Sequence, residues 1–194
     1  MPQMDILGKL FGSPAKVKIM RLFDLNPDFT LKTEDVAKRA KISTSLAGKE
    51  LGGLASVGFL HKGHKANFLF WQLDKNFPFI SPLRNLLKNN LISHKKSLAR
   101  QISACGRLQL LILSGIFIDN EGEEGRVDLL IVGNNMRRGA IDRLIKKFEA
   151  EIGKELNYAV LDTADFKYRL NACDKFTRDI LDFPHEMVVD KIGI

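Results

Sequence analysis

Cysteine is nearly absent: Cys105 and Cys173 are the two in 194 residues. They stand far apart with no Cys-x-x-Cys spacing, which excludes a disulfide framework and a thiolate metal site and reads as two buried thiols. Long apolar runs are also missing. The longest, Leu108 to Ile118, is interrupted by Gln109, Ser114 and Gly115 and falls short of the ~20 residues of a membrane-spanning helix. It reads as a buried strand, with no membrane partner. The opening Met1-Pro2-Gln3-Met4-Asp5 has neither the basic region nor the apolar core of a signal peptide, so the expected location is the cytoplasm. No internal repeat or low-complexity tract appears.

What is present is an ordinary globular composition, 45% apolar and 27% charged, long enough for two small domains. The net charge of +7 is unevenly spread. Residues 1–100 hold 17 Lys and Arg against 7 Asp and Glu, and residues 101–194 hold 13 against 16. Lysine and arginine neutralise phosphates and so supply most sequence-independent affinity for DNA, which makes a polyanion a plausible partner for the first half.

The first half carries a recognisable order of elements. Ser13-Pro14 is a helix start, Ser as cap and Pro at the first helical position. Val17, Ile19, Met20, Leu22 and Phe23 give that helix its apolar face, and Asn26-Pro27-Asp28 ends it. Phe29 and Leu31 form a short extended piece. Val36, Ala37 and Ala40 then recur at helical spacing, Lys41-Ile42-Ser43 makes a tight break, and a second helix runs from about Ser43 to Val57 with Gly58 suited to its C-terminal cap. Two short helices at this spacing are a helix-turn-helix signature. Phe59-Leu60, a polar turn His61 to Asn67, and Phe68 to Leu73 complete a basic β-hairpin, the wing.

In such a domain the start of the second helix enters the major groove. Here that start offers Ser43, Thr44 and Ser45, with Lys49 a turn further on. Lys41, Lys49 and the wing residues Lys62, His64 and Lys65 can reach phosphate or the minor groove. Taken singly, Ser43 is a helix cap and the lysines a solvated face; the ordered combination carries the DNA reading. Gly48, Gly52 and Gly53 each weaken that helix by up to ~1 kcal/mol against Ala, and it contains no Arg, so modest affinity is expected. His61 and His64 have no nearby Cys or carboxylate and make a poor metal pair.

Pro78 and Pro82 bracket a break. Leu83, Leu86, Leu87, Leu91, Ile92, Leu98 and Ile102 then suggest one long helix or two shorter ones, a connector and potential dimer contact. The remainder alternates: a strand at Leu108 to Leu113, an acidic loop at Asp119 to Gly125, a strand at Val127 to Val132, a helix from Arg137 to Ile152 ending at Gly153, a strand at Leu156 to Leu161, and helices near Ala164 to Ala172 and Asp174 to Leu181. The fold class is α+β: a winged helix-turn-helix over 1–77, a helical connector over 78–106 and an α/β domain over 107–194.

The first half resembles winged-helix regulators of the ArsR and MarR kind. In the second, a strand, Ser114-Gly115, and a second strand carrying Asp128 to Gly133 resemble the core of the minimal nucleotidyltransferases. The resemblance implies a Gly-Ser pair that holds nucleotide phosphates and an Asp-x-Asp pair that holds two magnesium ions. This chain has Ser114-Gly115 and Arg126-Val127-Asp128 instead, and on the next strand only Glu155 and Asn157. Two-metal phosphoryl transfer needs clustered carboxylates holding ions ~4 Å apart, and one Asp beside an Arg does not supply them. No catalytic residue and no metal ligand is assigned. Ser114, Gly115, Arg126 and Asp128 remain candidates to hold a nucleotide without magnesium; the acidic loop reads as solvated surface.

The expected function is therefore a DNA-binding transcriptional regulator. Its partner is double-stranded DNA, it acts as a homodimer, and its C-terminal domain senses a ligand or assembles the protein. Two alternatives stay open: an active nucleotidyltransferase using Mg and ATP, and an antitoxin-like module that neutralises a protein partner.

Overall fold

The computed structural model describes residues 6–65, 68–118 and 126–194. It divides into two compact units: residues 1–91 with 147–154, and residues 92–146 with 155–194. Both helices and sheets are present, the mixed α+β class expected from the sequence.

The first unit begins with α1 (Ile6–Leu10), α2 (Pro14–Asp24), α3 (Thr33–Ala40) and α4 (Thr44–Ser56). Ser13 caps α2 by accepting from the Lys16 amide at 3.2 Å, and Pro14 fills the first helical position, where its missing N–H costs nothing. α2 is buried on almost every side. Val17, Ile19, Leu22 and Phe23 enter the core, and even Arg21 and Asp24 are buried, as a helix at the centre of a small unit must be. Asp24 is held by Arg84 of a later helix at 2.9 Å.

α3 carries Glu34 and Asp35 in its first turn and Lys38 and Arg39 in its last, the order that the helix dipole favours. It stops at Lys41, whose φ of 52° is left-handed and lets the Ile42 amide reach back to the Ala37 carbonyl at 3.0 Å. Ser43 then caps α4 by accepting from the Leu46 amide at 3.3 Å. Ala47, Leu51 and Leu54 point α4's apolar face into the core. Gly58 takes φ +82° after its end.

The strands β1 (Leu60–Lys65) and β2 (Phe68–Leu73) form an antiparallel pair from Leu60 opposite Leu73 to Lys65 opposite Phe68. The expected polar turn from His61 is shorter than the sequence suggested, because residues 61–65 pair one to one with β2. Of that turn only Ala66 and Asn67 are left, and they lie outside the described residues. The Phe70 ring occupies the space above Gly63: a Cβ there would lie 2.8 Å from Phe70 Cε1, so a glycine gives the aromatic its room. Leu31 adds a third, single-bridge strand through two backbone bonds to Trp71, and Trp71 Nε1 donates to Thr33 Oγ1 at 3.0 Å. The hairpin is thereby tied to the start of α3.

α5 (Ile80–Ser103) is one helix of 24 residues, about 36 Å long. Pro82 is accommodated in its first turn, where no intrahelical donor is lost.

The second unit is built on a four-stranded sheet in the order β5-β4-β3-β6, from β3 (Arg107–Leu113), β4 (Leu129–Asn134), β5 (Tyr158–Leu161) and β6 (Glu186–Asp190). β3 is antiparallel to both β4 and β6, while β4 and β5 are parallel. The parallel pair needs a crossover, and α6 (Arg138–Ile152) supplies it. Leu110 to Leu113 and Leu129 to Val132 are buried at every position, the pattern of central strands covered on both faces. Leu110, Ile112, Leu130 and Val132 pack with Phe166 of α7 (Thr163–Asn171) and Ile180 of α8 (Lys175–Leu181). β6 has no counterpart among the elements expected from the sequence, which end at Leu181. It is a five-residue edge strand whose partner lies far away in sequence, so no local turn announces it.

The last turn of α6 and the turn after it belong to the first unit. Arg21 Nη1 donates to the Glu151 carbonyl at 2.9 Å, and Asn26 Nδ2 donates to both the Leu22 and Gly153 carbonyls at 2.7 and 2.8 Å. A cation and an amide thus satisfy carbonyls at a helix C-terminus. Gly153, at φ +88°, lies so close to α2 that a Cβ would come within 2.6 Å of Leu22 Cα.

Candidate nucleic-acid interface and the β3 to β4 turn

The turn between α3 and α4 places Lys41, Ser43, Thr44 and Ser45 on the surface, with Lys49 exposed one turn along α4. Ser43's hydroxyl is engaged as the cap; Thr44 and Ser45 occupy the first turn of the helix, where free amides and the positive end of the dipole face solvent. The acid in the middle of α4, Glu50, is turned inward and pairs with Lys16 at 3.6 Å. The exposed side of α4's first half therefore presents hydroxyls, an ammonium and the Leu46 side chain.

On the hairpin, Lys62 and His64 are exposed and lie two residues apart, hence on one face. Lys62 Nζ sits 5.7 Å from the centre of the Trp71 ring. This cation–π contact fixes the lysine's stem while leaving its ammonium at the surface. Lys65 pairs through its backbone with Phe68. Two further exposed cations that the sequence did not single out lie over aromatic rings: Lys32, 4.4 Å from the centre of the hairpin's Phe68, and Arg39, 5.0 Å from that of Phe29. Lys and Arg flanking a turn next to lone aromatics would be the signal to look for.

In the second unit, Ser114, Gly115 and Asp128 come together. The Ser114 hydroxyl donates to the Val127 carbonyl, and the Ser114 amide to the Asp128 carbonyl at 2.9 Å. Gly115 has φ +55° and starts the single 3₁₀ turn Gly115–Phe117; a Cβ there would run into the Asp128 carboxylate. That carboxylate is buried. Its Oδ1 accepts from the Ile116 amide at 3.3 Å and its Oδ2 from the Asn157 amide at 3.0 Å. Asp128 thus staples the end of β3 to the start of β5 through charge-assisted bonds. The Arg126 guanidinium lies 3.4 Å from the centre of the Phe183 ring. Glu155 is exposed, and the acidic loop 119–125 lies outside the described residues. Among the described residues no three His, Cys, Asp or Glu side chains cluster as a metal set would.

No family model matches the chain and no curated protein matches it. Among solved structures, a possible transcriptional regulator from Methanosarcina mazei Go1 is similar at 14% identity and a TM-score of 0.35, over 54% of this chain and 88% of that one. A likeness this slight leaves the reading to rest on the geometry above. No helix among the described residues is long and apolar enough to cross a membrane.

Proposed function

We propose that the chain is a DNA-binding regulator of transcription whose first unit is a winged helix-turn-helix. One observation carries this: a left-handed break at Lys41 and a Ser43 cap deliver α4 with Thr44, Ser45 and Lys49 outward, in the same unit as a hairpin exposing Lys62 and His64. The hydroxyls are short enough for the helix to approach base edges, and the cations reach backbone phosphates. Action as a cytoplasmic homodimer on two half-sites belongs to the same reading.

In this reading the second unit is a nucleotidyltransferase-like domain that assembles the protein or senses a ligand. Two contacts support a role other than catalysis: both Asp128 oxygens already accept backbone amides, and an arginine stacked on Phe183 stands where the family has its first carboxylate. The test is a mobility-shift competition between the DNA upstream of the protein's own coding region and random duplex. Wild type is expected to prefer the upstream DNA, and Thr44→Asp to lose both complexes, because it sets a carboxylate against phosphate. Equal retention of DNA by Thr44→Asp would refute the assignment of α4.

A further inference from the structure

The first unit contains a cavity of about 430 Å³ between the start of α2, the last turns of α4 and the beginning of α5, open to solvent where Val57, Phe79 and Leu86 are exposed. Its walls are apolar. Phe11, Phe59, Phe77 and Phe79 line it, the last three joined edge to face with ring centres 5.6 and 5.8 Å apart. Lys16, in the first turn of α2, is the one charged residue of the lining.

Gly53 of α4 also lines this space, and a Cβ there would meet no atom within 4 Å. Packing does not require a glycine at that position, and glycine weakens a helix. Its effect is to leave the cavity open. The Lys16 ammonium lies 3.6 Å from Glu50, an ion-pair separation longer than an N–H···O hydrogen bond, so it retains donors for a ligand. The volume is that of a small-molecule site, which typically combines apolar walls with a few polar groups that fix orientation.

We propose that this cavity binds an apolar monoanion, its carboxylate or sulfonate on Lys16 Nζ and its hydrocarbon body among the phenylalanines. A neutral hydrocarbon leaves the ammonium unused, and a second negative charge would find no second cation in the lining. Occupancy of this cavity is independent of what the other end of α4 binds.

The probe is 8-anilinonaphthalene-1-sulfonate, titrated by fluorescence into the full chain and displaced by decanoate or by decanol. Decanoate is expected to displace it at lower concentration than decanol. Lys16→Met should weaken decanoate at least about tenfold and leave decanol within about twofold, as loss of one charged hydrogen bond implies. Glu50→Gln should tighten decanoate, since it removes the competing charge. Gly53→Leu fills the cavity with a better helix former; it should abolish probe binding while the melting temperature stays at or above that of wild type. The proposal is overturned if the probe does not bind, if Lys16→Met weakens decanoate and decanol alike, or if binding survives Gly53→Leu. Sedimentation showing a dimer that Gly53→Leu dissociates would equally overturn it, by identifying a second copy as the occupant.

Discussion

Replacing Gly153 by Ala tests the contact that brings residues 147–154 into the first unit. Two separate costs are expected. A left-handed residue with a Cβ loses about 1–2 kcal/mol, and this applies at Gly153 with φ +88°. The new Cβ must also displace the backbone of α2, because Leu22 Cα would stand 2.6 Å away; overpacking of this kind costs about 1–3 kcal/mol. The total is about 2–5 kcal/mol. Gly58 provides the control, for it has φ +82° and open space around its Cβ position. Gly58→Ala should therefore lose only the about 1–2 kcal/mol of strain. Trp71 is the chain's single tryptophan and is buried in the first unit, so its fluorescence in a urea titration follows that unit alone. Equal losses in the two variants would refute the close approach of the α6 end to α2.

Gly52→Ala should stabilise the same unit by up to about 1 kcal/mol, since its Cβ position is open and helical; a loss in the urea titration would show that the glycine is needed for packing. Asp128→Asn should destabilise the second unit by about 1.5–3 kcal/mol, the worth of hydrogen bonds to a charged group, because it weakens the bonds from Ile116 and Asn157. Calorimetry should find the same loss with and without magnesium, and a loss that appears only with magnesium would identify Asp128 as a metal ligand instead. The Asp190 carboxylate accepts amides from Ile192, Gly193 and Ile194, and the Gly193 bond leads in holding its pKa below the ordinary 3.8. A pKa depressed in the folded state means the contribution is complete above the ordinary value and is lost as pH falls through the folded one. The Gly193 amide resonance should therefore titrate with a midpoint under 3.8; a midpoint at or above that value would refute the bond.

Local chemistry was legible in the sequence wherever one residue fixes a boundary. Ser13-Pro14 and Ser43 cap the helices as their types require, and α6 ends at Gly153 as expected, where the structure adds a left-handed φ. The hairpin was legible as two strands, but its turn was overestimated: polar residues such as His61 and Lys62 pair as well as apolar ones when a partner strand of equal length faces them. What depends on distant partners was not legible. β6 exists through its pairing with β3, and the Arg126 stack through Phe183 near the other end of the domain. Asp128 could be noticed as an acid at the start of the second strand, yet nothing local announces that it binds the amides of Ile116 and Asn157. The cavity is assembled from residues 11 to 86 and has no linear signature.

In the proposed function, α4 and the hairpin hold duplex DNA through its phosphates. The most direct measurement is the affinity of the full chain for a fluorescent duplex as a function of salt, by anisotropy. Binding that weakens linearly in log salt is expected, with a slope of about −0.9 per phosphate contact. The double variant Lys49→Ala, Lys62→Ala should make that slope shallower by about two contacts' worth. Absence of binding at micromolar protein, or a slope that the double variant leaves unchanged, would contradict the account.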